Sequence, residues 1–437
     1  MACVAFILAA GKSSRMGTAR SKIELPLGGR PLLEYVLDVA SHWAGDEVYC
    51  VLSPEQEQVS IRAHRVIQPV AKGTGDAFKI AFQHALQRDS DFLLKDILVV
   101  LGDAPLLQVQ DLAPLMALPE GSFGIMGMVP PDPGAYGRIK IENGHVSIVE
   151  ARHASQEESA IPLCNTGVMR MKASLVYPFL SELTASGASE CYLTDLVARV
   201  PDVCVIEGAW QNFLGINTRS EWSQAEGLLQ QRFRQKAMEE GALLLAPETT
   251  FLSYDTQVAR DVMLFAHTVL QPGVRLERGV RVLPFSVLQS CHIQEESSIG
   301  PFAHIREGSV LGAHTCIGNF VEVKHSTLES GSKAKHLSYL GDAQIGSGVT
   351  IGAGVITCNY DGHKKSKVTI GSGSFVGSNA ALVAPIVLGE NVTVGAGSIL
   401  TQDVPDQTLA LSRADQKNIA LSQDSKHLKR KNRSLGR

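Results

Sequence analysis

Residues 299–323 read IGPFAHIREGSVLGAHTCIGNFVEV, with an aliphatic side chain at Ile299, Ile305, Leu311, Ile317 and Val323, one every sixth position. The same spacing runs upstream through Leu264, Leu270, Leu276, Val282 and Leu288, slips by one residue, and returns downstream at Ile370, Val376, Leu382, Leu388, Val394 and Leu400. Glycine often follows directly, as in Ile317-Gly318, Ile351-Gly352 and Val376-Gly377. Six matches neither the 3.6 of a helix nor the 2.0 of a strand. It is the period of a parallel β-helix, in which each short strand turns one aliphatic side chain inward and a corner follows. Three hexapeptides close a triangular coil of about 18 residues, and coils stack about one strand spacing, ~4.8 Å, apart. Chance Val-Gly and Ile-Gly pairs in a β-sandwich would not hold phase over so many repeats. The rod is predicted over residues 241–412, with a polar excursion near 359–367. A triangular prism buries its sides best around a threefold axis, so a homotrimer is expected.

The first half of the chain alternates instead. Strand patterns at Val4–Leu8, Glu47–Leu52 and Ile97–Leu101 are interleaved with helical patterns at Leu32–Ser41 and Gly75–Gln87. This predicts an α/β, doubly wound, Rossmann-like domain over residues 1–217, with ligands at the carboxyl ends of its strands. Arg219–Met238 carries Trp222, Ala225, Leu229 and Phe233 on one stripe and is predicted as a helical linker over 218–240. Residues 413–437 form a basic tail. Its last stretch, Lys426 to Arg437, has six Lys or Arg and no acid, suited either to solvent or to phosphate.

Composition sets bounds on function. The chain has 437 residues, 44% hydrophobic and 19% charged, and a formal charge of −4, which gives no reason to expect nucleic acid. The eight cysteines show no C-x-x-C pair, an argument for free thiols in a reducing cytoplasm and against zinc. The apolar start, Cys3 to Ala10, has no basic flank and is too short to span a bilayer, so a buried strand is expected there and no membrane insertion.

After the first strand comes Leu8-Ala9-Ala10-Gly11-Lys12-Ser13-Ser14-Arg15-Met16-Gly17, followed by Lys22. No G-K-[ST] ends it, so it is not a Walker loop. Its small residues let backbone N–H groups approach phosphate oxygens, while Arg15 and Lys22 add charge. Asp103 lies where the Ile97–Leu101 strand ends, at the edge of an α/β sheet where ligands bind.

These residues resemble the signature of the sugar-phosphate nucleotidyltransferases, whose further segments appear in order: Gln68 and Gly73-Thr74-Gly75, Leu101-Gly102-Asp103, Tyr136-Gly137-Arg138, Ile148-Val149-Glu150, Asn165-Thr166-Gly167 and Gly215-Ile216-Asn217. The resemblance implies that Leu8, Ala9, Gly11, Lys22, Gln68, Gly73 and Thr74 bind a nucleoside triphosphate. It gives Gly137, Glu150, Asn165 and Asn217 to the sugar, Asp103 and Asn217 to Mg²⁺, and catalysis to Arg15 and Lys22. In the rod, His336-Leu337-Ser338-Tyr339-Leu340-Gly341-Asp342 and Thr357-Cys358-Asn359-Tyr360-Asp361-Gly362 resemble the acetyltransferase segments of the bifunctional members of that family. This implies His336 as general base, with Arg306, Lys324, Tyr339, Thr350, Asn359 and Lys365 around glucosamine 1-phosphate. Acetyl-CoA would meet Ala353, Asn359, Tyr360, Ser378, Ala396 and Arg413. The implied activity is acetyl transfer from acetyl-CoA to glucosamine 1-phosphate, then uridylyl transfer from UTP to the product, a supply of UDP-N-acetylglucosamine for peptidoglycan and lipopolysaccharide.

The residue types suit both steps. A sugar 1-phosphate is already an anionic nucleophile, so nucleotidyl transfer needs charge neutralisation and positioning. An amine attacking a thioester must lose a proton, and an imidazole with an ordinary pKa of ~6.5 can take it. Ser13-Ser14 stands where the family usually has Gly-Thr, Ala71 replaces a glutamine and Thr350 an asparagine. A G-x-x-S-R-M-G loop also resembles cytidylyltransferases, so the base stays open at this level. Two other readings are a pyrophosphorylase with a structural rod and a non-catalytic scaffold of the same two domains. The first has no need of His336 with Asn359-Tyr360 and Lys365, and the second none of Arg15, Lys22, Asp103 and Asn217.

Overall fold

The structure, a computed structural model, describes residues 3–11, 16–17, 21–183 and 190–420. Arg15 and the basic segment from Lys426 to Arg437 lie outside the described residues. The chain divides into two compact units, Met1–Lys236 with Leu252–Tyr254, and Ala237–Phe251 with Asp255–Arg437.

Continuous apolar runs such as Cys3–Leu8, CVAFIL, have no polar face and fold as strands covered on both sides. They form the centre of a mixed sheet in the order Cys204–Gly208, Gly124–Met128, Cys164–Lys172, Asp96–Leu101, Cys3–Leu8, Val48–Leu52, His64–Ile67. Cys164–Lys172 runs antiparallel to both its neighbours, which the doubly wound expectation had not included. Helix Leu32–Ala44 helps to cover one face and helix Thr74–Arg88 the other, each over its own hydrophobic cluster. The expected linker is helix Arg219–Glu239. Its stripe does more than connect: Ala225 and Leu229 are buried with Met16, Leu27, Leu32, Leu106 and Ile216, with Trp222 and Phe233 packed alongside.

One buried ion pair ties this unit together. Arg170 is fully buried, donates to Asp96 Oδ2 at 2.6 Å, and gives Nη1 to the carbonyls of Leu115, Met116 and Leu118. It thereby satisfies the open carbonyl end of helix Val109–Met116. Arg170→Met would strand a buried carboxylate and several carbonyls, so unfolding free energy should drop by about 3–5 kcal/mol. Urea denaturation of the variant measures this.

The second unit is a prism of three parallel sheets with strands mostly two or three residues long. Each sheet stacks its inward side chains: Leu264, Val282, Ile299, Ile317, Ala334, Ile351, Val376 and Val394 form one buried column. Coils of 18 residues are mixed with coils of 17, because some sides, such as Leu288 to Ile293 and Leu340 to Ile345, have five residues. That is the origin of the phase slip. Two stack positions are not aliphatic in the usual way. Ala334 is small, and Thr357 is a buried hydroxyl that accepts from Gly341 N at 2.7 Å and donates to its carbonyl at 3.1 Å, which offsets its burial.

The corners are close-packed. A Cβ on Gly352 would lie 2.6 Å from the Ser378 nitrogen of the next coil, which explains the glycine after the aliphatic residue there. Along one edge His267, Phe285, Phe302 and Phe320 take left-handed φ of 55–59° and stack face to face at 4.7, 5.0 and 5.2 Å. The excursion turns back on itself, with a bridge between Tyr360 and Lys365 and backbone N–H groups of His363 and Lys364 donating to Asp361.

Candidate active sites

In the first unit, strand Cys3–Leu8 bonds to Val48–Leu52 on one side and Asp96–Leu101 on the other. At this switch point the strand ends part and leave a crevice. A cleft of about 550 Å³ opens there, lined by Leu8, Ala9, Gly11, Lys22, Gln68, Ala71, Gly73, Thr74, Asp103 and Asn217 among others. Residues far apart in sequence and expected to bind nucleotide therefore share one cavity.

Local structure fixes each member. Gly73 holds φ +101° because a Cβ would strike the Cys191 carbonyl, and it begins helix Thr74–Arg88, whose first turn has no side-chain cap. Within that turn the Gly75 N–H donates to the Cys191 carbonyl at 2.9 Å, so the backbone supplies part of the cap. Gln68 is buried and spends its amide N–H groups on Asp76 Oδ2 (2.8 Å) and the Gly73 carbonyl (3.2 Å), so it shapes this turn. Asn217 is set from two sides. The Asp103 carbonyl accepts from Ile216 N at 2.9 Å, and Glu221 accepts from the Asn217 and Thr218 nitrogens at 2.7 Å each while Thr218 caps Glu221 N in return. That reciprocal cap starts the long helix and aims the Asn217 amide at Asp103.

Between them sits Lys22. Its ammonium is 2.5 Å from Asp103 Oδ2 and 2.8 Å from Asn217 Oδ1, with the lysine side chain 8% exposed. The carboxylate and amide oxygens thus converge on one cation-sized point. Among the described residues no group of three or more His, Cys, Asp or Glu gathers as a metal cluster.

The expected sugar residues also meet. Gly137 O accepts from Asn165 N at 2.8 Å, a Cβ on Gly137 would be 3.7 Å from Glu150 Oε2, and Glu150 Oε1 accepts from Thr194 at 2.8 Å. Sequence reading missed Arg152, which lines the cleft, pairs with Glu190 at 2.8 Å and lies 5.4 Å over the Tyr192 ring. Nothing in its local sequence marks it.

In the rod, His336 is paired in register with Asn319 of the preceding coil, and His336 Nδ1 is 2.8 Å from Asn319 Oδ1. Because the amide oxygen only accepts, Nδ1 carries the proton and Nε2 is left with its lone pair. Asn319 therefore sets the tautomer. Counting two residues on from each paired aliphatic position gives Asn319, His336, Ala353, Ser378 and Ala396 in successive coils. Asn379 N donates to Ala353 O and Gly397 N to Ser378 O, both at 2.8 Å, and Arg413 donates to Ala396 O at 3.0 Å. Of the residues expected to meet acetyl-CoA, Ala353, Ser378 and Ala396 thus form a file of small side chains leading away from His336 and ending at Arg413, while Asn359 and Tyr360 lie in the excursion and not in the file.

On the neighbouring sheet Arg306 N bonds Val323 O, which sets Arg306 beside Lys324. Both are paired with carboxylates: Arg306 with Glu322 at 2.8 Å and Glu307 at 3.5 Å, and Lys324 with Glu307 at 3.2 Å. Hydrogen bonding from its own backbone N–H, helped by Lys324 and Arg306, takes the Glu307 carboxyl down to about 2. It is therefore ionised above that pH and competes with any phosphate. Tyr339 Oη and Asn359 Nδ2 both approach Gly341, and Asn359 donates to Asp342 Oδ2 at 2.5 Å. Thr350 lies on the strand that leads to Ala353, and Lys365 is held in the excursion by its bridge to Tyr360.

Comparison with known proteins agrees with both halves. Residues 5–156 match the MobA-like NTP transferase domain, 290–325 the bacterial transferase hexapeptide (six repeats), and 367–402 the hexapeptide repeat of succinyl-transferase. Over 426 residues the chain is 39% identical to the bifunctional protein GlmU of Paramagnetospirillum magneticum, covering 94% of each chain. The chain belongs to the GlmU family. The GlmU of Zymomonas mobilis is 40% identical, covering 95% of this chain and 96% of its own, and that of Nitratidesulfovibrio vulgaris 38%, covering 95% and 97%. GlmU relatives therefore match the nucleotidyltransferase unit and the left-handed parallel β-helix as one continuous alignment, with both candidate sites inside it.

Proposed function

We propose that the chain is a bifunctional enzyme that acetylates glucosamine 1-phosphate with acetyl-CoA and then joins the product to UTP, releasing pyrophosphate and forming UDP-N-acetylglucosamine. The observation that carries the first activity is the file from His336 to Ala396. An extended pantetheine arm needs a narrow track with backbone polar groups and no bulky side chains, and Ala353, Ser378 and Ala396 supply it at ~4.8 Å intervals. The amine of the sugar attacks the thioester carbon, its proton passes to His336 Nε2, and the thiolate of coenzyme A leaves as the tetrahedral intermediate collapses. Arg306, Lys324 and Lys365 hold the sugar phosphate, while Tyr339, Thr350, Asn359 and Tyr360 line the reacting groups.

In the cleft, a phosphate oxygen of the sugar attacks the α-phosphorus of UTP and pyrophosphate leaves in line. Leu8, Ala9, Gly11, Gln68, Gly73 and Thr74 hold the nucleotide, Gly137, Glu150 and Asn165 the sugar, and Arg15 and Lys22 the phosphates. The donor set fits Mg²⁺: Asp103 and Asn217 present one carboxylate and one amide oxygen to a shared point, leaving the remaining positions to phosphates and water. When bound, the ion neutralises charge on the triphosphate.

We assign the active form as a homotrimer built on the rod, in the cytoplasm, where UTP and acetyl-CoA are available. Among the described residues no helix is long and apolar enough to cross a membrane. One assay tests the whole reading. Purified protein given glucosamine 1-phosphate, acetyl-CoA, UTP and Mg²⁺ should release free thiol first and pyrophosphate second, and light scattering should give three times the chain mass. A preference for CTP would refute the uridylyl assignment, and thiol release without sugar dependence the acetyl one.

Glu307 offers a quantitative check. Since it stays ionised above pH about 2 and competes for Lys324 and Arg306, Glu307→Gln should release Lys324 at neutral pH and leave Arg306 with Glu322 as its carboxylate partner. The expected result is a severalfold lower KM for glucosamine 1-phosphate with kcat little changed.

A further inference from the structure

We propose that Lys22 is an internal counter-ion seated in the metal position, so that free protein excludes the divalent ion and the nucleotide's phosphates must draw the lysine away before the ion can settle. The inference rests on the reading of Asp103 and Asn217 as metal ligands. Its basis is geometric. Lys22 Nζ lies 2.5 Å from Asp103 Oδ2 and 2.8 Å from Asn217 Oδ1, bonded to both oxygens that converge there. An ion held by those two oxygens at 2.0–2.1 Å would overlap the ammonium, so the two cations are mutually exclusive.

Three further observations support the seat as a built one. The lysine side chain is 8% exposed and the Asp103 side chain 18%, so the contact is largely shielded from water. Asn217 is fixed by Ile216 N on the Asp103 carbonyl and by the Glu221 cap, so the amide oxygen is already aimed whether or not an ion is present. Asp103 is the single carboxylate at the point, and among the described residues no acidic or histidine cluster adds charge to hold a free divalent ion. The triphosphate supplies what is lacking on both counts. It provides anionic oxygens to which the Lys22 ammonium can transfer, and it provides the remaining ligands for the ion. Lysine suits this exchange because its point charge sits on a flexible stem and does not depend on a planar bidentate fit.

The consequence is strong positive coupling between ion and nucleotide, which by linkage is reciprocal. Mn²⁺ binding followed by electron paramagnetic resonance reads it directly, with no turnover required. Four proteins are compared with and without UTP: wild type, Lys22→Met, Asp103→Asn and the double variant, each checked for an unchanged circular dichroism spectrum. For wild type, Mn²⁺ should bind weakly alone and much more tightly with UTP. Lys22→Met should bind Mn²⁺ alone more tightly than wild type by a factor within the ordinary range of coupling, roughly 5- to 150-fold. The factor by which UTP improves Mn²⁺ affinity should shrink in step. The gain should persist at 0.5 M KCl, because a contact at 2.5 Å lies well inside the Debye length.

Equal Mn²⁺ affinity in Lys22→Met and wild type would overturn the proposal, and so would a gain that vanishes in high salt, which would reduce Lys22 to a distant repulsive charge. Failure of the underlying reading looks different. If Asp103→Asn binds Mn²⁺ with UTP as tightly as wild type, Asp103 is not a ligand and the ion lies elsewhere. If the double variant loses the gain seen in Lys22→Met, both the ligand assignment and the seat are supported together.

Discussion

His336→Ala should lower acetyl transfer by about 10²- to 10⁴-fold, the usual contribution of a positioned general base, while pyrophosphate release from UTP stays at the wild-type rate. His336 is exposed on a corner of its coil and contributes nothing to the buried stack, where Ala334 and Leu340 fill the neighbouring inward positions. The fold should therefore survive. A drop in melting temperature matching the drop in rate would point to damage and not to lost chemistry. The register partner sharpens the test. Asn319→Asp would place a carboxylate on the His336 Nδ1–H, favour the protonated ring, and move the acid limb of the rate profile to higher pH. Asn319→Leu would leave the ring unoriented and lower kcat without that displacement. A profile unmoved by Asn319→Asp would mean that the imidazole is not the group that takes the proton.

Asp103→Ala should produce the converse. Uridylyl transfer is expected to fall by about 10²- to 10³-fold, comparable to removing one preorganised charge-stabilising group from a site, while thiol release from acetyl-CoA stays normal. The variant removes the carboxylate from the cleft and releases Lys22 from its 2.5 Å contact. The lysine stem remains packed by its burial, so the effect should appear mainly in kcat. Raising Mg²⁺ should recover little of the rate, since Asn217 alone is a poor ligand for a hard dication. Loss of both activities in a folded variant would contradict two independent sites.

The rod was legible from sequence because its core repeats: one aliphatic side chain per six residues survives any reading frame error of a single position. What escaped were the positions where the repeat is satisfied by other means. Ala334 and Thr357 occupy stack positions without an aliphatic chain of usual size, and the five-residue sides hide as phase slips. The file from His336 to Ala396 was also invisible as a line. A coil of 25 residues, lengthened by the excursion, intervenes between Ile351 and Val376 and breaks the count. In the first unit the ordered motifs pointed to the cleft, but the Lys22 contacts span 81 and 195 positions and have no local signature. The antiparallel course of Cys164–Lys172 and the place of Arg152 in the cleft lining likewise arise only from tertiary packing.

Stacked coils touch only their immediate neighbours, so a solenoid tolerates gain or loss of a repeat far better than a globular core does. The file that starts at His336 turns this freedom into a constraint. Each coil is one graduation of a ruler, and the distance from the imidazole to Ser378, Ala396 and Arg413 is a whole number of steps. Removing one 18-residue coil from the stretch between Val376 and Arg413 would leave a folded prism, yet it would bring the terminal cation one step, ~4.8 Å, nearer to the base. On the proposed reading, a thioester carrier of fixed length requires a constant coil count in this part of the rod, while the coils before the one that carries Arg306 fall outside that requirement.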